Sequence, residues 1–423
     1  MNFRMEANKM KGINRIELDN GLVLLMEKRP NTKKTALLVG VKVGSINEDE
    51  RLNGGSHFNE HLLFKSNKYR SARQISEDLE YSGAVINAYT TWKYTAFSAK
   101  VPYKELPKAI EILFQAATNF SYREDEFETE RQVILTEIQN FINSPERYSL
   151  TGLFIPKLFE GTPLERTVEG TVETMGCVKK EELEKFKEKF YVPNNMVIAA
   201  VGKFDERKLV SSVENFFGSL DARNLPHSPT SIDLTNRRRE KFEERKDISQ
   251  VYMCLGYRVP GFSHRDVHSL DLISSILSEG LSSRMYRELR EKRGIGYSVG
   301  SIFHPIGREG MFITHVDGFD PKRMEEARDV ILKIFKDLKE NPISDREFNG
   351  VKNLMISRYD DQLERIMDRA MMLLEKEIYN IPYDFREKEK FIRKISKREI
   401  QISAENYLGD DYSLTILGPE GFR

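Results

Sequence analysis

The stretch Gly54–Phe64 carries two histidines four residues apart, with a glutamate directly before the second. These residues are His57, Glu60 and His61, and at about 100° per residue on a helix their side chains share one face. Two imidazoles one turn apart bind a single Zn²⁺ from one side, and a glutamate between them can act as a base toward a metal-bound water. The spacing therefore predicts a zinc site with hydrolytic chemistry.

A simpler interpretation is a partly exposed helix on which the two histidines only cover a polar side. However, Phe58, Leu62 and Leu63 make the helix apolar on several sides, which predicts that it is buried. A polar stripe on a buried helix needs partners, because unpaired polar groups are costly to bury. A bound metal ion would supply them.

A second helix is predicted over about Glu124–Phe141, and it carries two carboxylates beside its apolar stripe. These carboxylates, Glu130 and Glu137, lie within about 20° of each other around the helix. One interpretation places both at the rim of the core, where they reach water. The other places them near a metal, because a catalytic zinc usually takes three protein ligands and the third is commonly a carboxylate. We choose Glu137 as the third ligand and Glu130 as a carboxylate that orients a ligand or the substrate.

The spacing of apolar residues predicts the elements around these two helices. A hairpin is predicted over Ile13–Glu27, a strand with one buried face over Thr35–Gly44, and a single long strand over Ala84–Val101. Short strands are predicted over Met196–Val201 and Tyr412–Gly418. The remaining predicted helices cover Ala72–Ser82, Tyr103–Asn119, Lys179–Phe190, Asp205–Phe217, Pro321–Asn341, Ser344–Tyr359 and Lys397–Tyr407.

The order of these elements in the second half of the chain repeats that of the first. The pattern predicts an α+β fold with two tandem repeats, each a mostly antiparallel sheet packed with helices. We place the zinc-bearing repeat at residues 1–222, a linker at 223–241 and a degenerate repeat without the zinc motif at 242–423. The second repeat has its own pair, His264 and His268, but no glutamate adjoins either, so a metal site is not expected there.

Composition limits the classes of partner and compartment. A length of 423 residues predicts two domains, and 66 Lys and Arg against 66 Asp and Glu give no reason to expect nucleic acid or an anionic membrane as partner. Cys177 and Cys254 are the two cysteines, so a disulfide framework is not expected. No apolar segment is long enough for a membrane span, and the first residues have no signal-peptide pattern. We therefore predict a soluble, cytoplasmic protein.

Taken together, the motifs resemble those of the pitrilysin family of zinc peptidases, which carry the inverted order His-x-x-Glu-His. Within that family, the chain is similar to subunits of the mitochondrial processing peptidase type, over nearly its whole length. His57-x-x-Glu60-His61 looks like the zinc motif, and the segment Glu130–Ile138 looks like the downstream motif. The resemblance implies a Zn²⁺ cofactor with Glu137 as third ligand, Glu60 as catalytic base and Glu130 as an additional essential glutamate.

The same resemblance implies residues that bind substrate. Asn87 and Ala88 fall in a segment that looks like the family's strand for pairing with an extended peptide, a mode that reads the main chain more than side chains. In the second repeat, Arg290 and Tyr297 match the pair that grips a substrate carbonyl. From spacing alone, an arginine at a helix end and a tyrosine opening a strand are more often ordinary surface and core residues.

The function expected from this resemblance is a zinc metalloendopeptidase that cleaves unstructured peptides or protein segments. The resemblance also implies that two chains close around the substrate, and because this chain carries both the zinc and the Arg/Tyr signatures, we expect a homodimer with two active sites. One alternative is a non-catalytic structural or chaperone-like subunit of a processing-peptidase-like complex, although such subunits typically lose the ligands or the base. Another is a zinc amidase for small molecules, against which the chain length and the peptide-pairing strand argue.

Overall fold

The computed structural model describes residues 12–226 and 232–422, which form two compact units. As far as the described residues extend, the first unit comprises Met1–Gln139, Arg166–Thr230 and Gln362–Asn380, and the second comprises Asn140–Glu165, Ser231–Asp361 and Ile381–Arg423. The first unit thus includes a short segment from late in the chain, Gln362–Asn380, and the second unit includes a short segment from its first half, Asn140–Glu165. The predicted boundaries, which divide the chain into consecutive repeats, do not include this exchange and stay a prediction.

The described residues contain eleven strands, which form two sheets, one in each unit. The first sheet contains β1 (Ile13–Glu17), β2 (Val23–Lys28), β3 (Lys34–Val41), β4 (Val85–Thr90), β5 (Thr95–Pro102) and β6 (Met196–Gly202), in the order β1-β2-β6-β3-β5-β4. The second contains β7 (Arg239–Arg245), β8 (Val251–Pro260), β9 (Ser298–Ile306), β10 (Glu309–Phe319) and β11 (Ser413–Pro419), in the order β7-β11-β8-β10-β9.

The α-helices connect and cover these sheets. They are α1 (Gly55–His61), α2 (Ala72–Tyr81), α3 (Leu106–Thr118), α4 (Glu124–Ile142), α5 (Pro145–Arg147), α6 (Ile155–Leu158), α7 (Val172–Cys177), α8 (Lys180–Phe190), α9 (Glu206–Phe217), α10 (Val267–Ser278), α11 (Met324–Glu340), α12 (Asp345–Glu364), α13 (Ile366–Tyr379), α14 (Lys388–Lys394) and α15 (Lys397–Tyr407). Two π-helices cover Tyr148–Phe154 and Tyr286–Glu291. The 3₁₀ turns are Ser45–Asn47, Glu50–Leu52, Tyr103–Glu105, Pro163–Glu165, Pro193–Asn195, Pro321–Arg323 and Phe385–Glu387.

The two sheets have the same connectivity once β1 is set aside. Strands β2 to β6 occupy the sheet in the order 2-6-3-5-4, and β7 to β11 occupy theirs in the corresponding order 7-11-8-10-9. Each sheet contains one parallel pair, β2 with β6 and β7 with β11, and its other pairs are antiparallel. The predicted α+β class with two mostly antiparallel repeats is confirmed.

Strand β3 is buried on both faces, whereas the alternation over Thr35–Gly44 predicts one buried face. Seven of its eight residues are buried. One face packs in a core with α3 and α9, and the other packs against Ala370, Leu373 and Leu374 of α13. A Cβ on Gly40 would lie 2.8 Å from a Leu374 methyl carbon, so glycine at this position lets the helix approach the strand. The prediction failed because α13 comes from far along the chain.

The predicted long strand over Ala84–Val101 is in fact a hairpin of β4 and β5. The chain turns at residues 91–94, where the Thr91 hydroxyl accepts hydrogen bonds from the backbone N–H groups of Lys93 and Tyr94. This turn contains no glycine, proline or asparagine, so the usual turn signals are missing from the sequence. The consequence is that β4, which pairs with β5 alone, forms an edge of the first sheet.

The second sheet is also covered on both faces. One face builds a core with α10, α11 and α15, and Leu153 of the first π-helix packs on the other against Tyr252 and Leu417. Strand β7 begins at Arg239, inside the stretch 223–241 that the sequence suggests is a linker, because it pairs in parallel with β11 near the end of the chain. Across the described residues, no helix has the length and apolar character that a membrane span requires.

Helix α13 is held on the first sheet by an ion pair as well as by apolar contacts. The Nε of Arg369 donates to Glu27 of β2 at 2.7 Å, and the Arg369 side chain is fully buried. The other two guanidinium nitrogens are buried without a hydrogen-bond partner among the described residues. Removing one partner of such a pair leaves a buried charge, which costs more than the pair itself contributes.

We therefore expect Arg369→Met to destabilise the protein by about 3 kcal/mol, because Glu27 loses its buried partner and is left with the partly exposed Arg29 as the other member of its ion pair. The matched control is Arg365→Met at the start of the same helix, which breaks an exposed ion pair with Asp368 and should cost less than about 1 kcal/mol. Thermal unfolding of both variants measures the difference. Equal melting temperatures for the two variants would contradict a role for the buried pair in docking α13.

Candidate active site and metal centre

The two histidines of the zinc motif lie side by side on α1, a helix of seven residues. Their ring centroids are 4.7 Å apart and the rings are nearly perpendicular. Glu137 of α4 completes the group, and one ligand atom from each of His57, His61 and Glu137 lies within 4.8 Å of the others. No other such group of three or more His, Cys, Asp or Glu side chains occurs among residues 12–226 and 232–422. The structure thus brings together the three predicted ligands.

The chemistry of this donor set fits Zn²⁺. Glu137 Oε2 lies 3.8 Å from His57 Nε2 and 3.4 Å from His61 Nε2, so one carboxylate oxygen faces both imidazoles. Two neutral imidazole nitrogens and one carboxylate oxygen form a common protein ligand set of catalytic zinc sites. His57 is mostly buried, whereas the Glu137 side chain is 39% exposed, which leaves one side of the cluster open.

Glu130 orients one of the histidines. Its Oε2 lies 3.1 Å from His61 Nδ1, and its Oε1 forms an ion pair with Lys65. Burial acts to raise the pKa of Glu130, but the hydrogen bond from His61 and the contact with Lys65 outweigh it and lower the pKa. An ionised Glu130 accepts a hydrogen bond from Nδ1–H of His61, which leaves the Nε2 of this ring for a ligand. The structure therefore places Glu130 behind His61, while its role in catalysis stays a prediction.

The two histidines have opposite pKa shifts. Burial lowers the pKa of His57 to about 4, with the neighbouring His61 acting in the same direction. Burial also acts to lower the pKa of His61, but its hydrogen bonds with Glu130 and Glu137 raise it to about 9. A protonated His61 compensates part of the negative charge of Glu130 and Glu137, and a divalent cation bound at this point would compensate that charge in its place. The buried Nδ1 of His57 has no hydrogen-bond partner among the described residues, so this ring lacks an orienting acceptor.

Glu60 is placed to act as a base on the same helix. Burial raises its pKa, while a hydrogen bond from Thr90 Oγ1 to Glu60 Oε2, at 2.9 Å, acts in the opposite direction. A carboxylate with a raised pKa is better suited to accept a proton at neutral pH than an ordinary surface glutamate. Thr90 is the last residue of β4, so this hydrogen bond also joins the base to the edge strand.

The remaining predicted residues of the first unit lie on this edge strand. Asn87 is exposed, and Ala88 is partly buried against the core on the side of the sheet that also packs α3 and α9. Because side chains alternate along a strand, Ala88 and Thr90 share a face and Asn87 points to the other. The edge of β4 opposite β5 has no partner strand among the described residues.

Arg290 and Tyr297 lie together in the second unit. Arg290 is the penultimate residue of the second π-helix, and its guanidinium carbon lies 5.5 Å from the centre of the Tyr297 ring and 5.2 Å from that of Tyr286. Tyr297 is 80% exposed, and its backbone N–H donates to the carbonyl of Asp317. An exposed tyrosine stacked with an exposed arginine is available to bind a ligand. The substrate-binding role of the pair stays a prediction.

The second histidine pair is not part of a metal cluster in the described residues. His268 is packed between aromatic rings, with centroids 4.9 Å from both Tyr383 and Phe391. Burial lowers the pKa of His268 to about 4, so it stays a neutral core residue at ordinary pH. His264, at the surface, contacts Asp266.

Sequence reasoning missed Lys65 and Thr90 as partners of the site. Lys65 follows His61 by four residues, which is a weak signal that both lie on one side of a helix. Nothing in the sequence connects Lys65 to Glu130 or Thr90 to Glu60, since both contacts cross between elements. Asn59 faces away from the ligands, where it accepts a hydrogen bond from the Tyr122 hydroxyl at 2.7 Å and donates to the Leu183 carbonyl.

Comparison with known proteins identifies the family. The family model described as insulinase, peptidase family M16, matches residues 23–172, and the model described as the peptidase M16 inactive domain matches residues 178–355. An uncharacterized zinc protease of Streptomyces coelicolor is 31% identical over 332 residues, which cover 77% of this chain and 71% of the relative. An uncharacterized zinc protease of Bacillus subtilis is 25% identical over 414 residues, which cover 97% of this chain and 99% of the relative.

A solved structure shows the same arrangement. The crystal structure of a protease from Helicobacter pylori matches with a TM-score of 0.92 at 25% identity, over 96% of this chain and 99% of that chain. The residues matched by the first family model include His57, His61 and Glu137, and those matched by the second include Arg290 and Tyr297. The family predicted from the motifs is confirmed, and the chain belongs to peptidase family M16.

Proposed function

We propose that this protein is a zinc-dependent endopeptidase that hydrolyses unstructured peptides or protein segments. The observation that carries the proposal is the convergence of His57, His61 and Glu137 on one point, with Glu60 on the same helix. The relatives from Streptomyces coelicolor and Bacillus subtilis are described as zinc proteases, which supports the same reaction class. His57, His61 and Glu137 would hold the zinc.

In the proposed reaction, each group of the chain has a separate task. Zn²⁺ in this site would polarise the scissile carbonyl and make a water molecule more acidic. Glu60 takes a proton from the attacking water and delivers it to the nitrogen of the departing amine, so that it ends each cycle ionised. Glu130 accepts a hydrogen bond from Nδ1–H of His61 and so fixes the orientation of the ring. Lys65 stabilises the ionised form of Glu130 through its ion pair.

The edge strand β4 suggests how an extended peptide binds. A peptide that pairs with the open edge at Asn87 and Ala88 makes main-chain hydrogen bonds that do not depend on its sequence. The hydrogen bond between Thr90 and Glu60 sets the distance from this strand to the base. An unstructured substrate suits this binding mode, because its backbone N–H and C=O groups are free to pair.

We further propose that Arg290 and Tyr297 bind the substrate and that two copies of this chain enclose it as a homodimer with two active sites. The exposed position of Tyr297 beside Arg290 supports the first part. The presence of the zinc motif and the Arg/Tyr pair in one chain supports the second, because no other subunit is then needed to complete an active site.

Glu60→Gln should abolish peptide cleavage while the protein retains zinc, since the amide cannot accept the proton and the ligands are unchanged. We expect a loss of at least about 100-fold in kcat/KM. The assay is cleavage of a quenched-fluorescent unstructured peptide with zinc content measured in parallel, and Glu77→Gln, an exposed glutamate on α2, is the control.

The same assay separates the main rival function. Zinc in the wild-type protein without cleavage of any of several peptides would favour a non-catalytic structural or chaperone-like subunit. Cleavage by Glu60→Gln at the wild-type rate would instead exclude Glu60 as the base.

The two carboxylates of α4 should differ in their effect on zinc affinity. Glu130→Gln should weaken zinc binding by roughly 10- to 100-fold, which is the usual range for a group that orients a ligand. Glu137→Gln should weaken it by more than about 100-fold, because a direct ligand is lost. Competition with a chelator measures both affinities, with the exposed Glu128→Gln as control. Equal effects at Glu130 and Glu137 would contradict the assignment of Glu137 as the third ligand.

Arg290→Ala should raise KM for peptide by at least about 10-fold while zinc content stays unchanged, because a substrate contact is lost without change to the metal ligands. Arg287→Ala, an exposed arginine of the same π-helix, is the matched control. Full peptidase activity in Arg290→Ala would refute the substrate-binding assignment.

Light scattering of the purified protein should give twice the mass of one chain if the proposed homodimer forms. The measurement should be made at the concentration of the peptidase assay, since association depends on concentration. A monomer with full activity would contradict the dimer, as would activity that requires a second, different chain.

A further inference from the structure

The N-terminus of the zinc-motif helix has no cap of its own. Helix α1 begins after Gly54, whose φ of 94° lies in the left-handed region and which has no side chain to accept hydrogen bonds. The first N–H groups of any helix lack partners within the helix, and a polar side chain at this position usually accepts from them. In a buried helix these groups need an acceptor from elsewhere in the chain.

Glu48 supplies that acceptor from six residues upstream. Its Oε2 accepts from the backbone N–H of Gly54 at 2.8 Å, and its Oε1 accepts from the backbone N–H of Ser56 at 2.7 Å. The Asn53 amide donates to Oε2 as well, at 3.3 Å. Since both oxygens accept from N–H donors, the geometry fits an ionised carboxylate, which the positive end of a helix stabilises.

The Glu48 carboxyl is buried with only 5% of the residue exposed. Burial raises its pKa, while the hydrogen bonds from Ser56 and Gly54 act in the opposite direction. A carboxylate removed from water is tolerated only when such hydrogen bonds compensate. The two backbone N–H groups at the helix start therefore compensate part of the cost of burying Glu48.

Glu48 is itself held in place from a second direction. Arg166 Nη2 donates to the Glu48 carbonyl at 2.9 Å, and Asn53 Nδ2 donates to the Thr167 carbonyl at 2.9 Å. The segment that carries Arg166 and Thr167 also touches the helix start, where a Cβ on Gly170 would lie 2.5 Å from the Asn53 carbonyl oxygen. The acceptor for α1 is thus part of a fixed framework within the first unit.

We propose that Glu48 is a positioning residue that sets the place and rotation of the first turn of α1, and thereby aligns His57 with His61 and Glu137. The proposal rests on the proposed zinc-dependent function. His57 follows directly after Ser56, whose N–H is bound by Glu48, and its own Nδ1 has no partner among the described residues. His61 has a hydrogen bond to Glu130 behind its ring, whereas the Nδ1 of His57 has no such anchor, so the place of the His57 ring depends more strongly on the helix backbone.

A helix of seven residues does not keep its first turn by its own hydrogen bonds, because helices this short are marginal without outside contacts. Loss of the Glu48 acceptor should therefore let the first turn fray or rotate. A shift of His57 relative to the other two ligands then lowers metal affinity and changes ligand geometry, even when the protein stays folded.

The experiment compares Glu48→Gln and Glu48→Asp with wild type. Gln has the same size but presents an N–H₂ group toward one of the backbone donors, and Asp retains the charge but is one methylene shorter. The control is Asp49→Asn, which removes a carboxylate that caps the adjacent turn at Leu52 and is not bonded to α1. Zinc affinity by chelator competition, the visible spectrum of the Co²⁺-substituted protein and thermal unfolding of the metal-free protein are measured for each.

Glu48→Gln is expected to bind zinc roughly 10- to 100-fold more weakly and to show an altered Co²⁺ spectrum, with a smaller effect in Glu48→Asp and none in Asp49→Asn. Wild-type zinc affinity and Co²⁺ spectrum in Glu48→Gln, with only a lower melting temperature, would overturn the proposal and make Glu48 a purely structural cap. If Glu48→Gln does not fold, Glu48→Asp decides by the same two readouts.

These readouts do not require peptide cleavage. If the wild-type protein holds zinc but cleaves no peptide, the proposed function fails, and the comparison of zinc affinities still decides the role of Glu48. If the wild-type protein binds no zinc, both proposals fail.

Discussion

The hydrogen bond between His61 and Glu130 is the contact on which the geometry of the candidate site depends. It joins α1 to α4, so that the two histidines of one helix face Glu137 of the other. Glu130 is itself mostly buried and would be costly to keep ionised without Lys65 and His61 as partners. Helix α4 therefore places Glu130 beside His61 and Lys65, and these two residues stabilise the ionised form of its carboxylate.

The sheet of the first unit supports the zinc-motif helix, because α1 contacts β4 and β5. Its central strands are buried on both faces, by α3 and α9 on one side and by α13 on the other. Strand β4 lies at the edge of that sheet and contacts Glu60 through Thr90. In the proposed function, this edge would hold a paired peptide at a constant distance from Glu60.

The second unit has the same sheet connectivity, but its described residues contain no corresponding metal cluster. Helix α10 follows β8 as α1 follows β3, but its His268 is packed against Tyr383 and Phe391 and has no carboxylate ligand set around it. The surface of this unit instead presents Arg290 against an exposed Tyr297. Retention of the sheet with a different set of polar residues agrees with a division of tasks between two copies of one fold.

The sequence by itself determined the α+β class, the repeat of elements and the candidate ligands from local spacing, and it determined the family from the resemblance of its motifs. His57, Glu60 and His61 share a face by helical periodicity alone, and Glu130 and Glu137 share one on α4. The roles of Arg290 and Tyr297 came from resemblance and not from spacing, whereas Glu130 was indicated by both.

Only the tertiary structure decided which groups support those residues. The burial of both faces of β3 depends on α13, the hairpin of β4 and β5 depends on a turn held by Thr91, and Lys65 reaches Glu130 across two elements. The capping of α1 by Glu48 joins residues six and eight positions apart through a loop with no helical or strand period. Such contacts arise from packing between distant segments or from irregular backbone, neither of which leaves a periodic signal in the sequence.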